Sequence, residues 1–323
     1  MLAEAKVSII DRCYVCHNTH MRSVRDREGF THLICDNCHL MQLQPQHFVS
    51  STHLYTDAYF NGRMLQETGG KMGYAESYSD PTKSHRTQEY SHYVNEIMHW
   101  AHDNRRKLLK VLDFGCGYGG FLKTLQERMG DGIEIHGIEV DSEVCAKASA
   151  QLDGALVYCV DLKIDTGMVP RDYFDVITML DVIEHLDDPR LYLQRLAECA
   201  NDTAFLLLST PNIESLNARL YGDNWVLHGA PGHMYYFGPR SIRIILQQSG
   251  WKLVKLYTER TIFHNERHGM ETWRGKLVRL LFQNRFWDML TNRLLRIGSI
   301  MTVVAQRDLR DSAGSCCAAR QDV

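Results

Sequence analysis

Val111-Leu112-Asp113-Phe114 runs directly into Gly115-Cys116-Gly117-Tyr118-Gly119-Gly120, and this stretch decides the fold. Leu108 to Phe114 reads as a buried strand, and Phe121 begins a helix that stops at Gly130. Between them, glycines allow a sharp turn and let a ligand approach the start of the helix closely. Gly115, Gly117 and Gly120 fit G-x-G-x-x-G, a weak signal by itself that brings a nicotinamide dinucleotide into consideration.

Working outward, strands continue to alternate with helices. Ile133–Glu139 is a second strand, with a helix from Ser142. Ala155–Val160 is a third and Phe174–Leu180 a fourth, followed by a helix over Pro189–Ala200. Ala204–Ser209 is a fifth, and Pro239 opens a helix that Gly250 ends. Trp251–Thr258 and Ser299–Ala305 are the last two strands. This alternation predicts an α/β fold with a mostly parallel sheet and helices on both faces, with ligands beyond the carboxyl ends of its strands. Glu139, ending the second strand, suits the ribose hydroxyls of either kind of nucleotide cofactor. Asp113 argues against a dinucleotide, because a carboxylate two residues before the first glycine repels a pyrophosphate and suits an ammonium group.

Asp113-x-Gly115-x-Gly117-x-Gly119 resembles motif I of the class I S-adenosylmethionine-dependent methyltransferases. Phe174-Asp175-Val176-Ile177 through Glu184-His185-Leu186-x-x-Pro189 is similar to the fourth-strand segment of the ubiquinone-biosynthesis O-methyltransferases. Ser209-Thr210-Pro211-Asn212 and His233-x-x-Tyr236-Phe237 followed by Pro239 match the same branch. The resemblance implies a Rossmann-like, seven-stranded methyltransferase sheet. It also implies that Gly115 and Gly117 lie against the methionine part of the cofactor, with Gly119 in the same binding loop, Asp113 near its amino group, Glu139 on the ribose, Asp161 and Leu162 beside the adenine, and Leu180 against the cofactor, with Arg86 reaching the cofactor carboxylate. His185, just past the fourth strand, is the first candidate for general base, with Glu184 orienting it. His233 and His228, in a loop able to cover the acceptor, come second. Some ubiquinone-branch relatives have Glu-x-x-Glu-His here and use a divalent cation. Asp181, Glu184 and His185 are the corresponding ligand set, with a shorter acid in the first place.

Ten cysteines fall into three groups. Cys13 and Cys16, then Cys35 and Cys38, form two C-x2-C knuckles that can close a tetrahedral thiolate shell around a structural zinc. Asp26-Arg27-Glu28 and Gly29 fit the tip of a hairpin between them. Cys116, Cys145, Cys159 and Cys199 read as packing residues, and Cys316 and Cys317 sit in a polar tail. Two knuckles ahead of such a domain resemble, more loosely, bacterial methyltransferases of sugar, glycan and secondary-metabolite pathways. The expected organisation is a zinc-ribbon-like module over 1–52, an aromatic bridge over 53–100 that packs on the next domain, a methyltransferase domain over 101–307 and a mobile tail over 308–323.

The composition, 44% hydrophobic and 23% charged, excludes a disordered chain and a coiled coil. The net charge of −3 hides an asymmetry: residues 252–307 hold eleven Lys/Arg against four Asp/Glu, which leaves the rest of the chain ten negative. Within that stretch, 260–297 reads as a basic amphipathic lid facing an anionic substrate or, through 273–296, a membrane surface. Residues 1–12 show no export signal, apolar runs are too short to span a bilayer, and a cytoplasmic location is expected. The expected reaction is methyl transfer to a small-molecule acceptor, foremost an oxygen of a sugar or glycan. The alternatives are a quinone or phenol oxygen, a keto-sugar carbon, and RNA. RNA is disfavoured because residues 1–52 balance five basic against five acidic residues.

Overall fold

The computed structural model describes residues 11–48, 54–60, 63–64, 86–225, 227–259 and 298–309, with the side chains of 86–89 and 259 left aside. The lid expected over 260–297, its membrane-facing part and the tail beyond 309 lie outside these residues.

Strands β1 (Met21–Arg25) and β2 (Thr31–Cys35) form the hairpin between the two cysteine knuckles, with Gly29 at φ 92° in its tip. Strand β3 (Met41–Leu43) pairs antiparallel with β2. A short helix, α1 (Asp57–Phe60), precedes the long α2 (Arg86–Asp103). Tyr93, Val94, Ile97 and Ala101 bury one face of α2 against Leu109, Val111 and Phe205. This helix crosses residue 100, where the bridge was expected to end.

The main sheet has seven strands: β4 (Leu109–Phe114), β5 (Ile133–Glu139), β6 (Leu156–Cys159), β7 (Phe174–Leu180), β8 (Ala200–Pro211), β10 (Trp251–Glu259) and β11 (Ile300–Arg307). Their order is β6-β5-β4-β7-β8-β11-β10. The first five run parallel, and β11 is antiparallel to both of its neighbours. β4 and β7 lie at the centre and are buried almost throughout, as strands covered on both faces should be. Helices α3 (Gly120–Met129), α4 (Ser142–Gln151), α5 (Pro189–Cys199), α6 (Leu216–Tyr221) and α7 (Pro239–Gln248) complete the fold.

Local signals explain where these helices start. Asp141 caps α4 by accepting from the Glu143 and Val144 amides at 3.0 Å, and Asp188 caps α5, with Pro189 in its first turn. Gly250, at φ 80°, follows α7. The expected strand ends shift by a few residues: β8 is longer than Ala204–Ser209 at both ends.

The tertiary structure adds one pairing with no local signature. A two-residue strand, β9 (Tyr235–Tyr236), joins the cysteine module as the fourth strand of its sheet by pairing with β3. Cys13, Val15, Cys35, Cys38 and Leu40 share one apolar core with Tyr235, Phe237, Ile242 and Leu246. The Arg190 guanidinium donates to Tyr14 O at 2.7 Å, and Gln248 donates to Val15 O at 3.1 Å.

Trp251 ties α5 to the antiparallel edge. Its ring is fully buried and its indole N–H donates to Leu193 O at 2.9 Å. Trp251→Ala should lower unfolding stability by about 3–5 kcal/mol, measured by denaturant titration; a loss under 1 kcal/mol would show that this contact is dispensable.

Candidate active site

Strand order reverses between β4 and β7, and this is where a doubly wound sheet opens a crevice at its carboxyl ends. β4 delivers the glycine loop there. Gly115, Gly117 and Gly119 have φ of 77°, 52° and 82°. A Cβ on Gly115 would stand 2.7 Å from Val182 Cγ2, and one on Gly119 would stand 2.8 Å from Leu152 Cδ1. Both the conformation and the space therefore require glycine.

Two carboxyl groups are buried beneath this loop. Asp113 accepts from the Thr178 hydroxyl at 2.6 Å, and burial pushes its carboxyl up to about 7. Glu139 accepts from the Gly117 amide at 3.1 Å and the Val140 amide at 2.8 Å, and burial raises it despite those bonds. Glu139 thus anchors the loop and keeps further acceptor capacity for a polyol. At the end of β6, Asp161 accepts from Tyr192 at 2.7 Å, and Leu162 is fully buried in the core. Leu180 ends β7, half-buried. Arg86 is the first residue of α2; its side chain lies outside the described residues.

The turn after β7 carries the candidate base. Glu184 is buried; its Oε2 accepts from the Thr210 hydroxyl at 2.9 Å, and its carbonyl accepts from the Met234 amide at 2.8 Å. His185 Nδ1 lies 2.9 Å from Gly232 O and also contacts the Tyr55 hydroxyl. A carbonyl only accepts, so Nδ1 carries the proton and Nε2 is the basic nitrogen. Nε2 lies 3.9 Å from Glu184 Oε1. The His233 ring packs edge-on against His185 at 4.7 Å. Burial, reinforced by His185, holds His233 well below the usual histidine range, which makes it a poor proton acceptor.

Glu184, His185 and His233 each place a ligating atom within 4.8 Å of the others. Asp181 does not join them among the described residues. It sits at φ 56° and accepts from the Ser209 hydroxyl at 2.9 Å. The expected cation set of Asp181, Glu184 and His185 is therefore corrected in its first member, because the backbone turns Asp181 toward β8.

Sequence reasoning placed the aromatic segment over the next domain without singling out its working residues. Tyr55 reaches His185, Tyr59 packs edge-on against Tyr55, and Phe60 covers Gly117. Asp57 pins this cap: it accepts from Tyr118 and Lys147 and pairs with Arg63. Although burial opposes ionisation, those bonds hold Asp57 at about 2. The density of tyrosines marked the segment; its partners depend on the fold.

The four cysteines converge as expected. Their sulfurs lie within 4.8 Å of one another, with Cys13–Cys38 at 3.4 Å and Cys16–Cys35 at 3.5 Å. No disulfide joins them. The Asn37 and Cys38 amides donate to Cys35 Sγ at 3.4 Å, as a thiolate knuckle requires. This donor set fits a tetrahedral zinc.

Fold and loop geometry together define a class I, Rossmann-like S-adenosylmethionine-dependent methyltransferase. The profile of the family described as "Methyltransferase domain" matches residues 82–256, more than half of the chain, and the chain belongs to that family. The ubiquinone biosynthesis O-methyltransferase of Azorhizobium caulinodans is 33% identical over 150 residues, 43% of this chain and 58% of that protein. Its mitochondrial counterpart in Schizosaccharomyces pombe is 35% identical over 115 residues, 34% of this chain and 40% of that protein. The chain spans about half the length of the curated relatives it matches. The plantazolicin methyltransferase BpumL, solved with SAH, superposes with a TM-score of 0.51 at 14% identity, over 80% of this chain and 96% of that one, a likeness of fold.

The raised Asp113 pKa gives a signed prediction. Without a cation beside it, Asp113 holds a proton up to about pH 7, so stability from this group falls as pH rises from the unfolded carboxyl range through 7. An ammonium partner reverses that. S-adenosylhomocysteine affinity, measured calorimetrically, should strengthen about tenfold from pH 6 to pH 8, and Asp113→Asn should flatten the profile. A pH-independent affinity in the unsubstituted protein would detach Asp113 from the amino group.

Proposed function

We propose that this protein transfers the methyl group of S-adenosylmethionine to a phenolic or quinol oxygen, with His185 as general base. The observation carrying this reading is the His185 geometry: Nδ1 is committed to Gly232 O, and Nε2 sits beside Glu184 next to the glycine loop. Val182, in the same turn, packs on Gly115, so the base and the loop share a wall. The residues fit the cofactor: the glycine loop leads into the first turn of α3, and the two buried carboxyl groups beneath it would meet the amino and ribose ends of the cofactor.

S-adenosylmethionine, when bound, supplies an electrophilic methyl group on a sulfonium. Gly115, Gly117 and Gly119 would lie along its methionine part, Asp113 at its amino group, Glu139 at its ribose, Asp161 and Leu162 at its adenine, with Leu180 and Arg86 completing the site. Phe60 and Tyr55 close the site against water. His185 Nε2 would accept the acceptor's hydroxyl proton, leaving that oxygen to take the methyl group the cofactor supplies. Glu184 offsets the charge that then develops on the imidazole. Much of the rate would follow from this alignment. The relatives named for ubiquinone biosynthesis favour the aromatic oxygen over the sugar or glycan oxygen expected first.

The four cysteines are proposed to hold one structural zinc, dividing the chain into a zinc-ribbon-like module, an aromatic cap and the methyltransferase domain. No helix among the described residues is long and apolar enough to cross a membrane.

Catechols, hydroquinones, nucleotide-sugars and RNA should be screened for S-adenosylhomocysteine formation. Turnover is expected with the catechols or hydroquinones, and turnover confined to nucleotide-sugars or RNA would overturn the acceptor assignment. His185→Ala should cost about 10²–10⁴ in kcat while S-adenosylhomocysteine still binds. His185→Ala turning over at the unsubstituted rate would remove it as the base. Cys38→Ser should abolish zinc retention and lower the melting temperature; unchanged metal content would refute the zinc assignment.

A further inference from the structure

The hairpin tip of the cysteine module and the loop over the candidate base meet at a buried cluster that the reaction does not use. Asp26 follows β1, His32 lies on β2, and His228 belongs to the loop that ends at His233. Asp26 Oδ2 lies 2.9 Å from His32 Nε2 and 3.1 Å from His228 Nε2. One ligating atom from each residue lies within 4.8 Å of the other two. The side chains of Asp26 and His32 are 1% exposed and that of His228 is 12% exposed.

Three features go beyond an ordinary hydrogen-bonded pair. First, the carboxylate is fixed from behind, because Asp26 Oδ1 accepts from the Glu28 amide at 3.0 Å and the Phe30 amide at 2.9 Å. Its other oxygen is thereby aimed at the two imidazoles, as a second shell aims a metal ligand. Second, among the described residues the ion-pair partners of Asp26 are those two histidines; the flanking Arg25 and Arg27 turn instead to Gly29 O and Asn224. A carboxylate buried this deeply needs a compensating charge. Third, His32 Nδ1 is buried without a hydrogen-bond partner, so only its Nε2 edge gives a polar reason for an imidazole there.

We propose that Asp26, His32 and His228 bind a second divalent transition-metal ion, of the zinc class, separate from the four-cysteine site. Two imidazoles and one carboxylate form a hard-to-borderline donor set suited to zinc or a neighbouring first-row ion, with water as a fourth ligand. Ligand atoms around such an ion stand about 3.3 Å apart, close to the spacings seen. The ion staples two segments 202 residues apart in sequence. Its effect reaches the base through the loop. His228 stacks on Tyr236 at 5.3 Å, Tyr236 O–H accepts from the Gly229 amide at 3.1 Å, and Gly232 O fixes the His185 tautomer. His228 is thus a metal ligand and a positioning residue.

Native mass spectrometry of the full chain, purified and dialysed against micromolar zinc, tests this. Two zinc ions per chain are expected in the unsubstituted protein, and one in His228→Gln and in Asp26→Asn. Cobalt loading separates the sites. A thiolate-bound ion gives an intense sulfur-to-metal charge-transfer band, and that band should survive His228→Gln while bound cobalt falls from two ions per chain to one. One ion per chain in the unsubstituted protein, with the charge-transfer band present and zinc content unaffected by either substitution, would overturn the second site. Loss of the charge-transfer band alone would strike the four-cysteine assignment and leave this one standing. His228→Gln folds wherever the cobalt–thiolate band persists, so a global collapse cannot imitate the expected result.

Discussion

The loop leaving β4 crosses the turn that follows β7 so closely that Gly115 has no room for a Cβ beside Val182. That crossing is the constraint on which the candidate site depends. It holds two chain segments about sixty-five residues apart, Gly115 and Val182, in one fixed relation. The glycine loop and the turn carrying Glu184 and His185 are therefore in direct packing contact. Glu139 secures the same loop from the β5 side through the Gly117 amide. The loop's shape is thus set by backbone bonds and contact distances, with two carboxyl groups buried beneath it.

The cysteine module is built into this arrangement. β9 adds itself to the module's sheet, and the next residue back, Met234, donates its amide to Glu184 O and accepts from the Leu43 amide at 2.8 Å. A displacement of β3 would travel through Met234 to the carboxylate beside the candidate base. Main-chain pairing of this kind fixes register as well as proximity, because each strand residue has one partner. The segment from Tyr55 through α1 brings Tyr55 to His185 and Phe60 to Gly117, so one short stretch covers both halves of the site.

Electrostatics follow the same division. Asp113 and Glu139 are both buried, and they accept hydrogen bonds from a hydroxyl and from backbone amides respectively. A carboxylate so placed keeps its demand for positive charge, which suits a site for a cationic cofactor. Asp57, by contrast, is matched by Lys147 and Arg63 and acts as an anchor for the cap.

The sequence by itself determined the alternation of strands and helices, the glycine loop, both cysteine knuckles and the candidate histidine. Each of these is a local pattern: apolar period, capping residues at Asp141 and Asp188, positive-φ glycines, or two-residue ligand spacing. It missed the long helix over Arg86–Asp103, whose buried stripe of Tyr93, Val94 and Ile97 is interrupted in sequence by polar residues such as half-buried Ser91 and His92 and exposed Asn95. Tertiary structure alone decided that His233 rather than Asp181 approaches Glu184 and His185, that Tyr55 meets the base, and that Asp26 and His32 meet His228. These relations join residues from 48 to 202 positions apart. No sequence periodicity encodes such separations; they arise when packed elements bring distant loops to one end of a sheet.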